Sequence, residues 1–217
     1  VSSTAARQLL TECTSSPPEA VDSWFEFAGT VFEEAVVKKI FCVSVLATAL
    51  VAAASTNGYA QDNPLRAGAQ RTYGIVKGYI TRAAEKMPEE HYAFKPTKDV
   101  RSFGQLIGHI ADASAGFCGA VAGEKPPMGG FESPIEKGTT TKADLQKALA
   151  AAFAYCDKVY AATTDNTATA MVKGFWGEMP KISVLDFNTA HNFEHYGNIV
   201  TYMRLKDIVP PSSEPRK

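Results

Sequence analysis

No apolar run in this chain reaches the roughly twenty residues that a membrane-crossing helix needs. The longest, Ile40 through Ala54, stops at about fifteen. Charge of one sign is lacking too. The 22 Lys and Arg residues face 23 Asp and Glu and form no basic stripe, which argues against a nucleic-acid partner. No stretch alternates convincingly between polar and apolar residues, so no strand is predicted, and no internal repeat is present. Cysteine and histidine are scarce, four of each in 217 residues. Two of those histidines, however, stand one helical turn apart.

The apolar run is informative because it is short. Lys38-Lys39 precede it, and Ser-Thr-Asn-Gly58-Tyr59-Ala60-Gln61 follows it. A basic start, a short apolar core and small residues at the exit form the plan of a secretory signal peptide, cleaved near Ala60. The expectation is a protein exported to the periplasm or secreted, touching a membrane only through that signal. Residues 1–36 then precede the signal, and Val37 stands directly before Lys38. Bacteria can initiate at a codon otherwise read as valine, so 1–36 reads as an upstream over-extension or a leader. The working chain is 61–217, enough for one domain with its own core.

Within it the pattern predicts an all-α fold of four helices. The first runs from about Leu65 to Met87 and stops at Pro88, which cannot continue a helix. The second begins at Ser102, where Ser102 and Gln105 have capping-box spacing, and continues with Leu106, Ile110, Ala113 and Phe117. The third starts at Thr141, with Asp144 three residues on and a stripe of Leu145, Leu149, Ala152, Cys156 and Tyr160. The fourth runs from about Ile182 to Lys206, ahead of Pro210-Pro211. The connections 88–101, 123–140 and 163–181 are long for idle spacers and permit crossover topologies. An exported protein can join Cys118 to Cys156. Cys156 lies on an apolar stripe, however, and reads equally as a small buried hydrophobe, which tips the expectation against a disulfide.

His191 and His195 are at i and i+4 of the fourth helix, so both imidazoles can reach one point. They share a face with Val184, Phe187, Asn188, Ile199 and Tyr202, and that face points inward. His109, near the edge of the second helix's apolar stripe, can face the same interior. Three imidazoles from two helices, with no thiolate, would leave positions of a metal ion open, as catalytic sites do. The metal ligands expected are therefore His109, His191 and His195. His91, in the loop after Pro88, is expected to be exposed. No catalytic residue is assigned beyond metal-activated water. Glu194 lies off the midline of the pair, while Asn188 and Tyr202 share its face, and these three are the candidate helpers. Asp112 reads as a surface or ion-paired carboxylate, with an orienting role beside His109 as the alternative, and Phe175 and Trp176 as residues at the mouth or capping the core.

These segments resemble the DinB/YfiT-like metalloenzyme family. The resemblance is carried by Met87-Pro88-Glu89-Glu90-His91-Tyr92-Ala93-Phe94-Lys95-Pro96-Thr97 and by Arg101-Ser102-Phe103-Gly104-Gln105-Leu106-Ile107-Gly108-His109-Ile110-Ala111. The third segment is His191-x-x-x-His195 with its continuation Tyr196-Gly197-Asn198-Ile199-Val200-Thr201-Tyr202-Met203-Arg204. The resemblance as a whole covers nearly all of 65–207. The resemblance implies a four-helix bundle with long crossover loops, one divalent ion (zinc or nickel) on His109, His191 and His195, and often a homodimer. It does not fix the reaction. Some family members are thiol-dependent transferases or isomerases, and an export signal departs from that cytosolic chemistry. The expected function is a metal-dependent hydrolase or transferase activating water or a thiol against a small molecule. The alternative is a non-catalytic metal- or ligand-binding protein of the cell envelope.

Peptide mapping of the native protein checks the N-terminal reading: its first residue is expected to be near Gln61, and any tryptic peptide from residues 8–36 would contradict it.

Overall fold

The computed structural model describes residues 63–174 and 177–215. The signal-peptide and leader assignments, like those for Phe175 and Trp176, fall outside these residues. The described chain is mostly helical. Four long helices, α1 (Pro64–Lys86), α2 (Phe103–Ala122), α4 (Lys142–Ala162) and α6 (Lys181–Arg204), are joined by two short ones, α3 (Pro134–Gly138) and α5 (Asp165–Ala168). No helix among the described residues is long and apolar enough to cross a membrane.

The expected caps form. Ser102 accepts from the Gln105 N–H while the Gln105 side chain accepts from the Ser102 N–H, which closes the capping box of α2. The Thr141 hydroxyl accepts from the Asp144 N–H to open α4. The start of α1 is held from a distance. Its Leu65 and Arg66 N–H groups donate to Asp165 of α5, and Asp165 N–H donates back to Asn63. A carboxylate at a helix N-terminus meets both the orphan donors and the helix dipole.

α1 and α2 do not pack on each other. Each packs instead on α4 and α6, so the 87–102 connection must cross the molecule. One continuous core results, with Tyr73 of α1 stacked on Tyr160 of α4 at 4.3 Å. The Tyr160 hydroxyl donates to the Leu185 carbonyl of α6 at 2.7 Å. α2 is buried on nearly every side because α3 and a β-hairpin cover the face that the long helices leave open. The hairpin corrects the expectation of no strand: β1 (Met171–Gly174) pairs antiparallel with β2 (Gly177–Pro180). Four-residue strands, one ending in Gly174 and the other starting at Gly177, are too short to alternate visibly, and Gly177 at φ 113° supplies a turn conformation that other residues resist.

A second correction concerns the cysteines. Cys118 of α2 and Cys156 of α4 form a disulfide, with Cα atoms 5.4 Å apart. Cys156 is indeed buried on an apolar stripe, but the packing of α4 on α2 places the second sulfur beside it. Burial and bridging were not alternatives. With the two cysteines 38 residues apart, loop-closure entropy assigns the bridge about 4 kcal/mol, of which engineered and native cases usually realise about 2–4. Reduction, or Cys118→Ala with Cys156→Ala, should therefore lower the urea midpoint by that amount of stability. An unchanged midpoint would mean that the bridge restrains nothing.

Candidate metal centre

α2 and α6 pack side by side, and their contact brings three imidazoles together. His191 Nε2 lies 3.2 Å from His109 Nε2 and 3.1 Å from His195 Nε2. The three ring nitrogens that could hold an ion all fall within 4.8 Å of one another. The rings do not stack. His195 stands edge-on to both partners, at 87° to His109 and 83° to His191, so the nitrogens meet while the ring faces diverge. Burial, followed by the neighbouring imidazoles, pushes the pKa of His191 down to about 4. Burial, followed by His109 and Arg101, pushes that of His195 down to about 4. Burial and then Arg101 also lower His109, against the pull of Glu136. At neutral pH all three rings are uncharged, the form that ligates metals.

A residue that sequence reasoning missed supports the first of them. Glu136, in α3, places Oε2 3.0 Å from His109 Nδ1 and Oε1 2.7 Å from Arg101 Nε. Burial opposes ionisation of Glu136, but the Arg101 guanidinium and His109 outweigh it and hold its carboxyl below the ordinary range. A carboxylate only accepts, so the His109 proton resides on Nδ1 and its Nε2 is a bare lone pair. Glu136 is itself anchored. Asp112 accepts from the Glu136 N–H at 2.8 Å and the Ile135 N–H at 3.3 Å, and is only 1% exposed. Its burial lifts its carboxyl above the usual value despite those two donors. The expected surface or ion-paired Asp112 is thus corrected: it is buried and ties α3 to α2. Gly108 permits the approach, because a Cβ there would come within 2.8 Å of Glu136 Cα. A signal for Glu136 was present in Ser133-Pro134-Ile135-Glu136, a proline at N1 followed by an acidic first turn. It lies in a connection without periodicity, so its helix was not predicted.

The other candidates separate. Tyr202 donates to the Arg101 carbonyl at 2.7 Å and so steadies the residue that grips Glu136. Asn188 is buried but turns to Tyr160, its Nδ2 donating to the hydroxyl at 3.3 Å. Glu194 is exposed at the rim of the site. Asn198, not singled out from sequence, places its side-chain Nδ2 3.4 Å from His195 Nδ1. His91 is half-buried in a 3-10 turn (Glu89–His91) rather than exposed, and lies outside the histidine group.

The donor set fits a divalent ion. One N–H on His191 Nε2 could serve only one of its two facing nitrogens, and His109 Nε2 has no proton to offer. A cation at the meeting point would satisfy all three lone pairs at once. The His191 Nδ1 is buried without a protein partner, which leaves its tautomer free to turn Nε2 inward.

Fold and site together define a class: helical proteins in which two long helices converge three neutral imidazoles backed by a carboxylate. The chain belongs to the DinB superfamily, whose family model matches residues 77–199. A DinB-like protein of Bacillus subtilis, YjoA, superposes with a TM-score of 0.54 at 18% identity, covering 69% of this chain and 99% of that one. A mycothiol-dependent maleylpyruvate isomerase superposes with a TM-score of 0.53 at 17% identity, and a point mutant of that enzyme with 0.54 at 15%. Each covers 63% of this chain, which in turn spans only 60% of the isomerase. At these identities the likeness establishes the fold alone. No curated protein matches the sequence.

Because Glu136 sets the proton position on His109, Glu136→Gln is expected to weaken zinc binding about 10–100-fold without unfolding the protein. Competition titration against a chromophoric chelator measures this. Unchanged affinity would show that the carboxylate does not support the site.

Proposed function

We propose that this protein is an exported, divalent-metal-dependent enzyme of the DinB superfamily that performs hydrolysis or group transfer on a small molecule. The observation that carries the reading is the convergence of three neutral imidazoles beside open clefts. In this reading His109, His191 and His195 hold one ion, zinc or nickel, and the four long helices form a crossover bundle around it. When bound, the ion supplies the Lewis acidity that makes water or a thiol nucleophilic near neutral pH.

The chain's own residues orient and bound the reaction. Glu136 keeps the His109 proton on Nδ1, and Arg101 keeps Glu136 ionised and in place. Asn198 faces His195 Nδ1 with its amide Nδ2; flipped so that the amide oxygen meets the ring, it would accept from Nδ1 and fix that tautomer too. Glu194, exposed at the rim and lining both adjoining clefts, is a candidate to accept a proton from an incoming nucleophile. The thiol dependence named for the isomerase supports transfer. Export supports hydrolysis, because small thiols are scarce outside the cytosol. The disulfide is in keeping with an oxidising compartment. The competing reading, a binding protein of the envelope without turnover, shares the metal and differs only in activity.

Two measurements test the reading. Metal analysis of untagged protein should find about one ion per chain, lost in His191→Ala. Ester, amide and electrophile panels, with and without added thiol, should then reveal a turnover that His195→Ala reduces at least about a hundredfold. Absence of metal under replete conditions contradicts the site. Metal without turnover on any panel favours the binding protein.

A further inference from the structure

Two clefts of opposite character meet at the histidine centre. On one side His109 and His191 open on a cleft of about 360 Å³ walled by Phe117, Phe131 and Phe187. On the other side His195 opens on a wider cleft of about 710 Å³ lined by Lys95, Lys98 and Arg101. Glu194 lines both, so the clefts adjoin across the site.

The apolar side is built for a flat group. The Phe117 ring meets those of Phe131 at 5.1 Å and Phe187 at 5.3 Å, edge to face, and that of His191 at 5.6 Å. A wall of phenyl edges and faces therefore runs up to one of the proposed ligands. Phe131 is 45% exposed although it is large and apolar. It lies over Gly116, where an added Cβ would come within 2.8 Å of the ring. Gly116 thus admits the Phe131 ring at the cleft mouth, where with Phe117 and Phe187 it makes an apolar wall of the kind that flat rings pack along.

The polar side has a different logic. Its cationic residues Lys95, Lys98 and Arg101 are balanced by Asp99, Glu136 and Glu194. Three neutral imidazoles contribute no charge to offset a divalent ion, and Glu136 is already engaged by Arg101 and His109. Once loaded, the cleft has a net positive charge that favours an anionic group. Lys95 and Lys98 are exposed and free to move toward it.

We propose that the site takes a two-part small molecule, an aryl group seated against Phe117, Phe131 and Phe187 and a carboxylate drawn to Lys95 and Lys98. The bond between the two parts would then lie at the histidine centre. This inference rests on the metal-dependent reading above and specifies its substrate class.

Cobalt(II)-loaded protein provides a test, because its visible absorption reports both loading and ligand approach. The probes are 3-phenylpropanoate, the neutral 3-phenylpropanamide, and propanoate, which lacks the ring. The aryl acid is expected to bind at least about tenfold more tightly than either of the others. Phe131→Ala should reduce its affinity toward that of propanoate, and Lys95→Gln with Lys98→Gln toward that of the amide. All three positions are at the surface, so the fold should survive, and unchanged cobalt loading verifies it. If cobalt loads but the three probes bind alike, or neither variant discriminates among them, the two-part site is wrong and the metal reading stands. If wild-type protein takes up no cobalt, both fall.

Discussion

Three imidazoles can present their lone pairs to one cation only if each ring's proton is kept away from the point where they meet. That requirement governs much of the architecture around the site. Burial keeps the rings neutral, so their mutual repulsion is removed rather than overcome. For His109 the proton is directed outward by Glu136, and Glu136 can reach it only because α3 lies almost in contact with α2 at Gly108. Asp112 fastens that contact by capping the N-terminal N–H groups of α3. Removing any one of these residues would loosen the others, since each is a partner of the next.

The same contact explains why α2 is buried on nearly all sides. A helix with two neighbours among the long helices would expose a face. Here α3, the segment 123–133 before it and the β-hairpin cover it, and the glycines of α2 admit the first two: Gly108 meets Glu136 of α3, Gly116 the Phe131 ring, and Gly119 Pro126. The segments that looked like connections are therefore the third layer of the site. They carry Glu136 and Phe131, which support the centre and wall its cleft. The disulfide holds α2 against α4 on the far side, so the helix carrying His109 is restrained from two directions.

Much of this was legible in the residues, and the part that was not follows a rule. The long helices announced themselves through caps at Ser102 and Thr141 and through a stop at Pro88, all local chemistry. His191 and His195 could be paired because four residues make one helical turn. His109 could be added because its helix face was readable. Glu136 could not be read this way, because it reaches His109 across 27 residues through a five-residue helix with no periodicity. Asp112 was read as a surface or ion-paired group because its partners are backbone N–H groups, which leave no trace in composition. The disulfide was discounted because Cys156 fitted an apolar stripe, and a stripe does not show which residue packs on it. What a single element determines was visible; what two elements determine jointly was not.

The central claim is that two helices present three neutral imidazole nitrogens to one divalent ion and leave part of its coordination free. X-ray absorption at the zinc edge of the zinc-loaded protein tests it most directly. The account requires three imidazole nitrogens at about 2.0–2.1 Å with at least one further light-atom ligand that a small molecule can exchange. A sulfur neighbour, fewer than three imidazoles, or a closed fourth position occupied by a protein carboxylate would contradict it.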